Sequence, residues 1–277
     1  MPSNLIPSQE FFHILRYPQE RKALVVTLGA LVLLVLISGL FSLGTALLLV
    51  LFTLWAASAL VRISHRQHIG NALRVSSQQF PELVESLSMA ARAVGVPPVQ
   101  VFVYYSERIN AYAFGWSPPQ AVVLTSRLVE AMDADEFRFV VGHEMGHVVL
   151  GHTRLGTLVG GILGAPRVPV LSTILVPIFL WWSRCAEYSA DRAGVIACGQ
   201  LDKSVSALLK VMVGPQLAAK VNVEQVLAQS QELLGKVDAL AGEVGSTHPF
   251  LVHRLRELVK FWNSEACQSL LAERGAA

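Results

Sequence analysis

His143 and His147 stand four residues apart in the stretch VVGHEMGHVVLGH (Val140–His152), inside an otherwise apolar run. On a helix that spacing projects both imidazoles from one face, about a turn apart, where they can share one zinc ion. Glu144 follows the first histidine, where a carboxylate can act as general base on water at such an ion, as in other HExxH sequences. Burying titratable side chains in apolar surroundings is costly unless they are paired or bind a metal, so this helix needs a compensating partner. Catalytic zinc usually takes three protein ligands, and a third must come from elsewhere in the chain.

In SRCAEYSADRAG (Ser183–Gly194), Glu187 and Asp191 are again four apart on what reads as a helix. Glu187 can supply the third ligand. Asp191, a turn further on, can accept a hydrogen bond from the free ring nitrogen of His143 and fix its tautomer. Taken alone, Arg184, Glu187, Asp191 and Arg192 would read as a solvated, ion-paired helix face. The HExxH helix upstream favours the metal.

The elements around these residues are legible in outline. Asp133 with Glu136 three positions later resembles a capping box, so the motif helix is expected from near Ala134 to about Gly151. The runs Val99–Tyr105, Asn110–Trp116 and Ala121–Ser126 are rich in β-branched and aromatic residues, with SPPQ as a hairpin turn, and predict a small antiparallel sheet. Phe80–Val96 has helical apolar spacing that ends at Pro97-Pro98, and Leu201–Ala277 reads as mostly helical and amphipathic. The fold class is therefore mainly α with a small antiparallel β-sheet. His152 lies off the ligand face and, with Gly151, is expected to end the motif helix; His13, His65, His68 and His253 receive no role.

With 53% hydrophobic and only 15% charged residues among 277, the chain should meet lipid. Ala23–Val61 contains no Asp, Glu, Lys, Arg or His. As a helix it would reach roughly 58 Å, about twice a bilayer's hydrocarbon core. SGLFSLG (Ser38–Gly44) at its middle offers a reversal, so residues 23–61 are read as a transmembrane helical hairpin; the run is too long for a signal peptide. Residues 1–22 then form a cytosolic segment and 62–277 the catalytic domain, interrupted by the apolar stretch 155–182, which fits either a second short membrane hairpin or an apolar lid or core segment. Basic residues on both flanks (Arg16, Arg21, Lys22; Arg62, Arg66, Arg74) put both ends of the hairpin in the cytoplasm. A net charge of +2 with no clustered basic stripe argues against nucleic acid. Three cysteines without CxxC spacing suggest neither a disulfide framework nor a thiolate zinc site.

HEMGH, the downstream Glu187/Asp191 pair, the preceding NAYAFG and the late THPFLVHR together resemble the membrane-associated gluzincin metalloproteases that include the bacterial heat-shock protease HtpX and the CAAX prenyl proteases. The single N-terminal hairpin is similar to the HtpX type and not to the larger set of spans in the prenyl proteases. The resemblance implies a zincin-like α+β catalytic domain and a zinc endopeptidase with one Zn²⁺ per chain, held by His143, His147 and Glu187. Glu144 would be the base, and protein or peptide substrates would be cut at the cytoplasmic face of a bacterial inner membrane. It further implies that Asn110 and Ala111 offer an edge strand to an extended substrate, and that His248 and Arg254 face the cleft to stabilise the oxyanion. The competing reading is a catalytically silent membrane scaffold that keeps the fold and holds clients without cutting them.

Overall fold

The computed structural model describes residues 8–42, 44–45, 48, 51–52, 55–56, 70–97, 99–115, 119–158, 169–233 and 249–275. Among them the helices are α1 (Gln9–Leu15), α2 (Glu20–Phe41), α3 (Pro81–Val94), α4 (Ser126–Ala131), α5 (Ala134–Val149), α6 (His152–Leu158), α7 (Pro169–Cys198), α8 (Leu201–Val213), α9 (Pro215–Ala218), α10 (Val223–Leu233), α11 (Leu251–Trp262) and α12 (Glu265–Gly275). The strands are β1 (Leu73–Arg74), β2 (Gln100–Tyr104), β3 (Ala111–Phe114) and β4 (Ala121–Thr125).

α5 is the axis of the molecule. Asp133 accepts from the N–H groups of Asp135 and Glu136 while the Glu136 carboxylate accepts from the Asp133 N–H, so the expected capping box starts the helix where the sequence places it. Nearly every residue from Glu136 to Val148 is buried, which makes α5 a core helix packed on all sides. α7 lies against it at very short range. A Cβ at Gly142 would sit 2.3 Å from the Ala197 Cβ, and one at Gly146 would sit 2.6 Å from that of Ala193. Only glycine lets the two backbones approach so closely. α3 covers another flank of the core with Leu83, Leu87, Ala90 and Val94.

The sheet has the order β1-β2-β4-β3 and is mixed, which corrects the antiparallel expectation. β3 and β4 pair antiparallel as anticipated, but β2 and β4 run parallel, with Gln100 opposite Ala121 and Tyr104 opposite Thr125. The physical reason lies in β4. All five of its residues are buried, so this strand takes the centre and separates β2 from its sequence neighbour β3. Val122 and Leu124 face the main core, whereas Ala121 and Val123 join Phe102, Tyr112 and Phe114 on the opposite face. β3 is left as an edge.

α2 is the one helix among the described residues long and apolar enough to cross a membrane. Its 22 residues reach ~33 Å, enough for the hydrocarbon core. Ala23 and Thr27 are buried, and Ala23 packs with Phe179, Trp182 and Ala186 of α7, while Val25, Val32, Leu33, Leu36 and Leu40 are exposed. The helix ends inside the anticipated turn, where the Ser42 N–H donates to Ser38 O and Gly44 adopts φ +87°. Most of the second arm of the expected hairpin lies outside the described residues, as do 159–168 in the middle of the second apolar stretch. Before α2, Phe11 and Leu15 are buried in the main core.

Candidate metal centre

α5 and α7 bring together the residues expected to hold a metal. His143, His147 and Glu187 form the one group among the described residues suited to an ion, with ligand atoms within 4.8 Å of one another. The two Nε2 atoms are 3.2 Å apart; Glu187 Oε1 lies 3.5 Å from Nε2 of His147 and Oε2 lies 3.7 Å from Nε2 of His143. Donors held ~2.0–2.1 Å from one tetrahedral zinc would be spaced by about 3.3 Å, so the set fits. All three residues are more than nine-tenths buried.

The protons on the far sides of the rings strengthen that fit. His143 Nδ1 lies 3.0 Å from Asp191 Oδ1, and because an ionised carboxylate only accepts, Nδ1 is the donor. His147 Nδ1 lies 3.0 Å from Nδ1 of His152, whose Nε2 is 3.1 Å from Glu20 Oε1. Glu20 likewise only accepts, so His152 donates from Nε2, and with its Nδ1 as acceptor His147 donates to it. With both Nδ1 protons so committed, the two Nε2 lone pairs face each other. A cation between them would relieve the repulsion of such a contact.

Local electrostatics suit these roles. Burial lowers His147 to about 4, which keeps it a neutral ligand. Burial would lower His143 as well, but the hydrogen bond and charge of Asp191 raise it, which makes the ring a stronger donor toward a metal. Asp191 is held below the usual carboxylate range because Arg254 and His143 outweigh its burial. Burial pushes Glu144 up to about 7. The backbone N–H of Ala113 donates to this carboxylate, and its Oε2 has no hydrogen-bond partner among the described residues.

Arg254 comes from α11 and is buried between the acidic groups. Nε and NH2 form a fork on Asp191 at 2.8 and 2.6 Å, and NH1 lies 3.3 Å from Glu187 Oε2. The guanidinium thus braces the carboxylates instead of pointing freely into a cleft. His248 lies outside the described residues. Asn110 is exposed, and its backbone pairs with Thr125: Thr125 N–H donates to Asn110 O at 3.1 Å, and Asn110 N–H donates to Thr125 Oγ1 at 3.0 Å. By antiparallel alternation Ala111 and Ala113 turn their backbone groups toward the free edge. Of the two residues expected at that edge, Ala111 presents its backbone there and Asn110 does not.

Sequence reasoning missed His152 and Glu20. α5 ends at Val149, Gly151 takes φ +83°, and the chain turns so that His152 swings back beneath His147. A histidine directly after a glycine suited to left-handed backbone was the available signal. Glu20 had none, since it is 132 residues from His152.

The family described as Peptidase family M48 matches residues 77–261. The chain is 31% identical over 220 residues to the Plastoglobule-localized metallopeptidase 48, chloroplastic, of Arabidopsis thaliana, covering 74% of this chain and 64% of that protein. It is 28% identical over 240 residues to a Protease HtpX homolog of Bacillus licheniformis (75% and 78% covered). It is 26% identical over 227 residues to Protease HtpX of Acinetobacter baumannii (68% and 73%). The crystal structure of S. mikatae Ste24p aligns with a TM-score of 0.45 at 19% identity, covering 86% of this chain and 64% of that one. With the family match over residues 77–261, which contain α3, strands β2–β4, the two ligand-bearing helices and Arg254, the chain belongs to peptidase family M48.

Proposed function

We propose that this protein is a membrane-anchored, zinc-dependent endopeptidase that hydrolyses peptide bonds of protein substrates, with misfolded or membrane proteins as the substrate class. The observation that carries the proposal is the pair of Nε2 atoms 3.2 Å apart with Glu187 beside them and the unpartnered Glu144 Oε2 in the same buried site. His143, His147 and Glu187 would hold one zinc ion per chain. When bound, the ion supplies Lewis acidity toward a carbonyl oxygen and toward water.

The chain's own residues do the rest. Glu144 Oε2 takes a proton from the attacking water as its oxygen adds to the scissile carbonyl carbon, and returns a proton to the amine as the C–N bond breaks. The hydrogen bond from Ala113 holds the carboxylate with that oxygen free. An extended substrate would add to the outer edge of β3 through the backbone of Ala111, with Asn110 fixing the start of that edge against Thr125, a mode tolerant of side-chain sequence. His248 would stabilise the developing oxyanion, and Arg254 would act through the carboxylates it braces. A silent scaffold has no use for a buried carboxylate oxygen left without a partner, and this favours the enzyme. The domain partition into 1–22, 23–61 and 62–277 carries over with one change, that residues 8–20 dock on the catalytic domain.

The test compares wild type with Glu144→Gln on an unfolded protein in detergent, with and without a chelator. Wild type should carry about one zinc per chain and lose cleavage on chelation. Glu144→Gln should keep the metal and lose roughly 10² or more in rate. An unchanged rate in the variant would remove Glu144 from the chemistry, and cleavage indifferent to chelation would remove the metal.

A further inference from the structure

Behind His147 lies a chain of buried polar groups that no step above uses. His147 Nδ1 meets Nδ1 of His152 at 3.0 Å, and His152 Nε2 meets Glu20 Oε1 at 3.1 Å. Glu20 has no exposed surface and His152 is 1% exposed. The Trp182 ring stands edge-on to His152, with centroids 5.8 Å apart at 88°, and closes the site on that side. The second carboxylate oxygen of Glu20 accepts from the Ser189 hydroxyl of α7, and Arg16 pairs with the first.

The stretch before α2 is tied to the ligand-bearing elements at several further points. Arg16 NH2 donates to Leu150 O at the end of α5 (2.7 Å), Tyr17 N–H donates to Ser189 Oγ (2.7 Å), and Arg192 NH1 donates to the carbonyls of Ile14 and Arg16 (3.1 and 3.0 Å). Glu20 is also the first residue of α2, the candidate membrane span.

We infer that Glu20 and His152 are positioning residues of the metal centre, which hold the His147 ring and its tautomer and so make the first turn of the membrane helix a structural part of the site. His143 is oriented by Asp191 from within the catalytic domain, whereas His147 is oriented through His152 by a carboxylate that the anchor supplies. A buried carboxylate behind a ligand histidine fixes ring and tautomer, and loss of such partners typically lowers metal affinity by about 10–100-fold. The metal centre is therefore complete only when α2 is seated against α7. The inference rests on the reading of His143, His147 and Glu187 as zinc ligands.

The test uses the full-length protein in detergent and reads zinc affinity by competition with a chromophoric chelator, alongside thermal melting of the metal-free protein. His152→Phe keeps the ring volume and removes the acceptor, and should weaken zinc by about 10–100-fold. Glu20→Ala should weaken it in the same sense. Because both act through one ring, the double variant should bind zinc no more weakly than His152→Phe alone. Glu20→Gln and His152→Gln keep hydrogen-bonding groups in place and should recover most but not all of the affinity, and that residual loss is the readout if the harsher variants fail to fold. Wild-type zinc affinity in the folded single variants, or losses that simply add, would overturn the inference. If wild type itself holds no zinc, it is the metal reading that fails; tight zinc in wild type and relay variants alike sinks only the relay.

Discussion

At the scale of single residues the site is a balance of buried charges, and Arg254 is where that balance is most exposed to mutation. Its guanidinium lies against both Asp191 and Glu187, each about 2% exposed. Replacing it by methionine keeps much of the volume but strands the carboxylates. Breaking a buried ion pair from one side costs roughly 3–5 kcal/mol, so Arg254→Met should melt well below wild type in the metal-free state, with part of the loss recovered when zinc is added. A melting temperature unchanged from wild type would show that the fork carries little of the site's stability. The ligands and Asp191 were legible because helical periodicity turns a spacing of four into one face. Arg254 was legible as a residue and not as a brace, since its partners are 63 and 67 positions away and spacing carries no information over that distance. His152 was hidden by the reversal at Gly151, which breaks the helical phase on which its dismissal rested.

At the scale of elements, metal geometry depends on how closely α5 and α7 approach. Gly142 and Gly146 flank the His143–Glu144 pair, and Ala190, Ala193, Gly194 and Ala197 of α7 fill the space opposite. Gly142→Ala should raise intrinsic helix stability by up to ~1 kcal/mol. Its new Cβ would stand 2.3 Å from that of Ala197, a backbone-borne methyl that cannot rotate aside, so the helices must separate. Overpacking of this kind costs about 1–3 kcal/mol and wins. Because Glu187 rides on α7, the same shift should weaken zinc binding, and a variant with wild-type melting and zinc affinity would show that the close approach is not needed. The capping box and the motif helix could be read from the sequence because both are local. The sheet could not be read as fully. Alternation identifies strands and the face each presents, but pairing order is decided by which strand is most buried, and β4 displaced β2 from β3 for that reason.

At the scale of the whole molecule, the exposed face of α2 requires an apolar surrounding. Val25, Val26, Val32, Leu33, Leu34, Leu36, Leu40 and Phe41 are each more than half exposed along one 22-residue helix, far more contiguous apolar surface than a soluble monomer presents. Its N-terminal half is seated, through Glu20, Ala23, Thr27 and Leu31. A lipid bilayer is the surrounding that fits, and under the positive-inside rule the basic residues on either side of residues 23–61 predict a catalytic domain on the cytoplasmic side. A charge near the centre of a span costs about 2.5–3.5 kcal/mol on insertion scales, and Leu33 and Leu36 both lie near the middle of α2 with their side chains outward. Leu33→Arg should reduce membrane retention, and Leu33→Arg with Leu36→Arg should release much of the protein to the supernatant on alkaline carbonate extraction, while wild type stays in the pellet. In sealed vesicles, a protease added on the cytoplasmic side should digest Leu201–Ala277. Wild type extracted by carbonate would deny that α2 spans, and protection of that tail from the cytoplasmic side would reverse the orientation. Since Glu20 at the foot of α2 reaches the metal centre through His152, the doubly charged variant should also lose zinc affinity, which ties anchoring and metal binding to the same helix.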